Sequence, residues 1–124
     1  MVRFAILGAG GLGKGMARVV QHRPDFHLVA MADSRGYCFD ANGLKLEHIE
    51  PVATVAHYPE CGIPSEQAIM DLLKTHGDEI DAIFMALPNL PVEFFAQTVR
   101  QILNETPFKG VFVDALKRTK AVEH

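Results

Sequence analysis

The sequence predicts an α/β protein built on a doubly wound parallel sheet, and three observations carry that prediction. Short apolar runs alternate along the chain with stretches in which apolar residues recur every three to four positions, the pattern of strands and amphipathic helices in turn. The run from Asp81 to Leu87 is almost unbroken, as expected of a parallel strand covered on both faces. The first run, Phe4-Ala5-Ile6-Leu7, leads directly into Gly8-Ala9-Gly10-Gly11-Leu12-Gly13, a glycine cluster suited to joining a strand to a helix.

Taken in order, Arg3 to Leu7 reads as the first strand, and Leu12, Met16, Val19 and Val20 give a helical stripe that stops before Pro24. His27 to Ala32 reads as the second strand, ending at Asp33. Ser34 to Asn42 is rich in turn formers, with a turn expected at Asp40-Ala41-Asn42-Gly43, and the stretch on to Cys61 has no clean period and is read as an irregular excursion. Ser65 is placed to cap a helix through Thr75 whose apolar face is Ala68, Ile69, Leu72 and Leu73, with His76-Gly77 as its stop. After the third strand at 81–87, Pro91 suits the first turn of a helix reaching Leu103, with Val92, Phe95, Val99, Ile102 and Leu103 as its buried stripe. Gly110 to Val113 is the fourth strand, closed by Asp114. About four parallel strands with right-handed crossovers place helices on both faces.

A chain of 124 residues fits one domain. With 48% hydrophobic and 22% charged residues and a formal charge of −3, it lacks the composition of a disordered chain, a basic nucleic-acid surface or a polybasic membrane anchor. No secretory signal and no apolar run near about 18 residues is present, so the expectation is a soluble cytoplasmic protein with no nucleic-acid and no membrane partner. Cys38 and Cys61 form no CxxC pair and read as free thiols, and the six histidines show no ligand spacing, so no metal is expected.

The glycine cluster fits two phosphate-binding readings. As a phosphate loop it runs Gly8-x-x-x-x-Gly13-Lys14, but the next position, which should carry the magnesium-ligating hydroxyl, is Gly15. Val111-Phe112-Val113-Asp114, a strand ending in an acid, keeps that reading open as the lesser one. As a dinucleotide fingerprint it runs Gly8-x-Gly10-x-x-Gly13, and this reading also asks for an acid at the end of the second strand, about twenty residues on, to accept hydrogen bonds from a ribose. Asp33 stands there. In such a Rossmann-like unit Gly8 allows the tight turn, Gly10 lets the backbone approach a pyrophosphate, Gly13 lets helix pack on strand, and the helix N-terminus offers free N–H groups to the phosphates.

Gly8 to Gly13, then Ala32-Asp33-Ser34 with Gly36, then Phe39-Asp40-Ala41-Asn42-Gly43-Leu44 followed by Leu46, resemble the N-terminal nucleotide-binding domain of homoserine dehydrogenases. The resemblance covers most of the chain. It implies an NAD(P)-dependent oxidoreductase passing hydride between nicotinamide and an amino-acid semialdehyde. It implies a cofactor-binding set of Gly8, Gly10, Gly11, Leu12, Gly13, Asp33, Ser34 and Arg35, with Ala86, Leu87 and Pro88 beside the nicotinamide ribose. Ala115-Leu116-Lys117 resembles the family's Ala-Asn-Lys, which makes Lys117 the candidate catalytic residue. In the family a substrate and dimerisation domain follows, holding the catalytic acid and a second lysine. Residues 1–124 are therefore expected to form the cofactor domain alone, binding dinucleotide but inactive by itself, with a small-molecule substrate only in a longer form. The alternative is a stand-alone dinucleotide-binding or sensing module. A strand edge left open after the fourth strand predicts a homo-oligomer.

NAD is the expected cofactor, with NADP as the alternative. A carboxylate at Asp33 that accepts both ribose hydroxyls also repels a 2′-phosphate, whereas Arg35 can pair with that phosphate. The carboxylate is expected to dominate because it is held at a strand end, while Arg35 must be ordered from a turn.

Overall fold

The computed structural model describes residues 2–8, 11–49, 55–58, 62–86 and 92–114, with only the backbone described at 11, 12, 46, 48, 92–96 and 114. Among these residues six strands form one sheet: β1 (Val2–Leu7), β2 (Phe26–Ala32), β3 (Gly36–Phe39), β4 (Ile63–Pro64), β5 (Ala82–Met85) and β6 (Val111–Asp114). The helices are α1 (Gly11–Gln21), the single turn α2 (Leu46–Ile49), α3 (Ala68–His76) and α4 (Val92–Glu105), with short 3-10 turns at Val55–His57 and Gly77–Glu79. Strand order is β4-β3-β2-β1-β5-β6, and β2, β1, β5 and β6 are the parallel core.

The α/β class and the four parallel strands stand as the sequence predicts, but the sheet has two further strands and they are antiparallel. β3 pairs antiparallel with β2, and β4 antiparallel with β3. The stretch 34–42, read as turn, therefore contains a strand. Turn formers on both sides shorten it to four residues, and its period becomes visible only through packing: Cys38 is fully buried on one face, while Tyr37 and Phe39 pack on the other. Phe39 stacks flat on His76 at 3.9 Å, which seats α3 on β3. β4 is two residues long at the sheet edge, where Pro64 lacks only an N–H that no neighbour needs.

Strand alternation sorts the apolar side chains onto two faces. Phe4, Ile6, Ala82 and Phe84 face α1, whose Ala17 and Val20 are buried against them together with Ile49, Val55 and Tyr58. Ala5, Leu7, Ile83 and Met85 face the other layer, which holds Leu72 and Leu73 of α3, Ile102 of α4 and Phe108. The register between β1 and β2 slips between Phe4 and Ala5, so that Val29 is the extra residue of β2 and the consecutive pair Val29 and Ala30 packs on one face. Truncating a side chain as enclosed as Leu72 to Ala costs about 2–5 kcal/mol.

Helix boundaries shift by a turn or less, with two corrections. α3 begins at Ala68, and Ser65 is not its cap: the residue before the helix is Gln67, which makes no side-chain capping bond. Ser65 Oγ instead accepts from the Gln67 N–H and donates to Asp71. Leu103, expected on the buried stripe of α4, is 48% exposed, as is much of Val19 on α1. The turn at Asp40–Gly43 forms, with the Asn42 N–H donating to Asp40 Oδ1. Cys38 is a buried thiol outside any disulfide, and Cys61 lies outside the described residues. Among the described residues no helix is long and apolar enough to cross a membrane, and no group of three or more His, Cys, Asp or Glu is placed to hold a metal ion.

At the N-terminal ends of the parallel strands, Arg3 and Asp81 close a ring of bonds. The Arg3 N–H donates to Asp81 Oδ2 at 2.8 Å, its guanidinium donates to both carboxylate oxygens at 3.1 Å, and the Asp81 N–H returns to the Arg3 carbonyl. The guanidinium, and then the Arg3 N–H, hold the Asp81 carboxyl below its ordinary value of 3.8. A depressed carboxyl stabilises the fold above that ordinary value, and the contribution is lost as the pH falls through the lowered one. Both side chains are more than two-fifths exposed, so solvent screening keeps the effect small. Urea midpoints of wild type and Asp81→Asn should differ by a constant amount at neutral pH and converge in acid; a difference that grows in acid contradicts the assignment.

Candidate functional site

The C-terminal ends of β1 and β5 meet where the chain changes direction across the sheet, since β2 lies on one side of β1 and β5 on the other. In open α/β sheets that crevice is where ligands bind. Gly8 follows β1 with φ of +114°, a conformation that L side chains rarely adopt. A Cβ there would lie 2.1 Å from the Ala86 carbonyl oxygen, and a Cβ on Gly13, two residues into α1, would lie 2.0 Å from the carbonyl oxygen of Gly8. The Gly8 N–H donates to the Ala32 carbonyl at 2.6 Å, and the Ala86 N–H donates to the Leu7 carbonyl at 2.8 Å. The ends of β2, β1 and β5 are thus locked side by side, with the first turn of α1 directly above β1.

This turn brings together Gly8, Gly13 and Ala86 from the expected cofactor set. Gly11 opens α1 and Leu12 follows it. Gly10, Leu87, Pro88 and Lys117 lie outside the described residues. Gly15, where a phosphate loop needs its hydroxyl, has nothing within 4 Å of the Cβ direction.

Asp33, Ser34 and Arg35 stand one strand over, in the turn from β2 to β3. Asp33 Oδ1 accepts the N–H of Arg35 at 2.8 Å and of Gly36 at 2.9 Å, and Oδ2 accepts the N–H of Val55 at 3.0 Å. The Ser65 N–H donates to the Arg35 carbonyl at 2.9 Å. Gly36 admits the turn at 55–57, since a Cβ there would lie 2.6 Å from that of Ala56. An open cleft of about 590 Å³ is lined by Ser34, Arg35, Pro64, Ser65 and Glu66. Val55 and Ser65 were not legible as parts of this region; the only trace of their contact in the sequence is the small residue at Gly36. A second cleft of about 590 Å³, lined in part by Val20, Phe26, His27 and Lys45, lies beside the start of β2, at the end of the sheet away from Gly8.

No protein-family model matches the chain. It is 27% identical to the (S)-8-amino-7-oxononanoate synthase BioU of Haloferax mediterranei over an alignment of 150 residues, covering 98% of this chain and 42% of that protein. It is 35% identical to the homoserine dehydrogenase of Methanocaldococcus jannaschii over 89 residues, covering 62% of this chain and 25% of that protein. The chain therefore spans less than half the length of these curated relatives. Among solved structures it resembles C. glutamicum DAP dehydrogenase in complex with DAP, with a TM-score of 0.56 at 20% identity over 98% of this chain and 29% of that one. It also resembles an engineered D-amino acid dehydrogenase bound to NADP+, with a TM-score of 0.53 at 20% identity over 98% of this chain and 30% of that one. The sheet and its helices are those of a Rossmann-like domain.

The close approaches at the turn have a direct consequence for stability. Gly13→Ala should lower the unfolding free energy by about 1–3 kcal/mol, because backbone must move to admit the methyl group. Gly15→Ala, in open space on the same helix, should raise it by about 0.5–1 kcal/mol. Urea unfolding of the two variants beside wild type measures both, and equal effects would refute the packing account.

Proposed function

We propose that the chain binds a nicotinamide dinucleotide at the C-terminal ends of β1 and β5 and is the cofactor-binding portion of an oxidoreductase resembling homoserine dehydrogenase. The observation that carries this reading is the pair of stacked close approaches, Gly13 on Gly8 and Gly8 on Ala86, which seats the N-terminus of an 11-residue helix over the crevice. Free N–H groups and the positive end of the helix dipole then face that crevice, as a pyrophosphate requires. The 35% identity with a homoserine dehydrogenase and the NADP+ named for a structural neighbour support the same reading.

Gly8, the first turn of α1 and Gly13 would hold the pyrophosphate, the turn at 33–35 would meet the adenosine ribose, and Ala86 would border the nicotinamide end. The bound dinucleotide supplies the hydride, here exchanged with the carbonyl of an amino-acid semialdehyde. The role of the described ends of β1 and β5 is to position and to exclude water, since they offer Leu7, Gly8, Met85 and Ala86, none of which can move a proton. Lys117 is the candidate for proton transfer on the substrate side. The match to BioU runs over 98% of the chain and favours a second reading, in which the parent reaction resembles that of the synthase.

Calorimetric titration of the chain with NAD+ and NADP+, beside an absorbance assay for reduced nicotinamide in the presence of homoserine, tests the proposal. Binding without turnover is expected. Turnover by the chain alone overturns its assignment as the cofactor half, and failure to bind either dinucleotide overturns the reading itself.

A further inference from the structure

We infer that Asp33 is a positioning residue for the turn after β2, not the group that selects the cofactor, and that Arg35 selects the dinucleotide carrying a ribose 2′-phosphate. This rests on the dinucleotide reading above and reverses the preference that the sequence suggests.

A carboxylate offers about four lone-pair sites. Asp33 commits three of them to the chain itself: two on Oδ1, to the N–H groups of Arg35 and Gly36, and one on Oδ2, to the N–H of Val55. Accepting both hydroxyls of a ribose takes two sites, so Asp33 could do it only by releasing a backbone amide. The three N–H dipoles also aim their positive ends at the carboxylate and offset its charge, which weakens its repulsion of a neighbouring phosphate.

Arg35 is in the opposite condition. Its backbone is held on both sides, the N–H by Asp33 and the carbonyl by the Ser65 N–H, so the cost of ordering it from a turn is met by the fold. Its side chain is exposed, and no described residue forms a hydrogen bond or ion pair with its guanidinium. It lines the open cleft with Ser34, whose hydroxyl is a second donor there, while Ser65 Oγ is already committed to Asp71 and Gln67. A planar fork of N–H donors beside a cleft at the ribose end suits a phosphate dianion. Glu66, exposed on the same cleft, is the one opposing charge among its described lining residues.

Dissociation constants for NADP+ and NAD+ should be measured on wild type, Arg35→Ala, Arg35→Lys, Glu66→Gln and Asp33→Asn. Wild type should bind NADP+ the more tightly. Arg35→Ala should lower the NADP+ to NAD+ affinity ratio by about 10- to 100-fold, the usual worth of a charge-assisted pair, with Arg35→Lys intermediate. Glu66→Gln should raise the ratio. Asp33→Asn should lower the thermal midpoint, since an amide nitrogen cannot accept the Val55 N–H, and leave the ratio within about threefold. Tighter binding of NAD+ by wild type, a ratio unmoved by Arg35→Ala, or a tenfold gain for NADP+ in Asp33→Asn would each overturn the inference while leaving dinucleotide binding intact. Binding of neither cofactor by wild type would overturn both. Should Asp33→Asn fail to fold, the Arg35 and Glu66 variants decide the selection.

Discussion

The arrangement of this domain depends on one steric constraint, the contact of three backbone segments where β1, β5 and α1 meet. The Ala86 carbonyl occupies the place of a side chain on residue 8, and the Gly8 carbonyl occupies the place of a side chain on residue 13. Because neither position has a Cβ, α1 can lie directly on β1, and Ala17 and Val20 reach Phe4, Ile6 and Leu28 to form one of the two apolar layers. The same contact brings the first turn of the helix onto the end of β1. The packing of α1 on β1 and of β1 beside β5 thus follows from a single local requirement, and a methyl group at either glycine disturbs it.

Asp33 has the corresponding role in the neighbouring strand. Its carboxylate gathers three amide groups from two separate segments and ties the end of β2 to the turn before β3 and to the 3-10 turn at Val55. A charged acceptor is suited to this because hydrogen bonds to an ionised group are about twice as strong as neutral ones. The residue that a fingerprint assigns to the ligand is, in this chain, already bonded to its own backbone. The neighbouring Arg35 is thereby set on a fixed backbone, with no described residue bonded to its guanidinium.

The two ends of the sheet divide the work. At the N-terminal ends Arg3 and Asp81 satisfy each other through both side-chain and main-chain bonds, and the Asp81 carbonyl also accepts the Val111 N–H, so β1, β5 and β6 start in register. At the C-terminal ends β1 and β5 run into Gly8 and Ala86, which lie against each other through the Ala86 carbonyl.

The sequence by itself determined the class of fold, the four parallel strands, α1 and α4 to within a few residues, and the position of the glycine turn. Each of these rests on a local cause: apolar period within one element, or a backbone angle that glycine alone adopts readily at Gly8. Tertiary structure decided the rest. β3 and β4 have four and two residues, too few to show a period, and they exist because β2 and the flat contact of Phe39 with His76 hold them. Ser65 stands where a cap is expected but bonds to Asp71 and Gln67, with the helix starting beyond it. The partners of Asp33 include Val55, 22 residues away across a stretch with no pattern of its own, and no local rule couples a carboxylate to an amide at that distance. What a residue can do is written in its side chain; which of its bonds remain available to a ligand is settled only when the chain has folded around it.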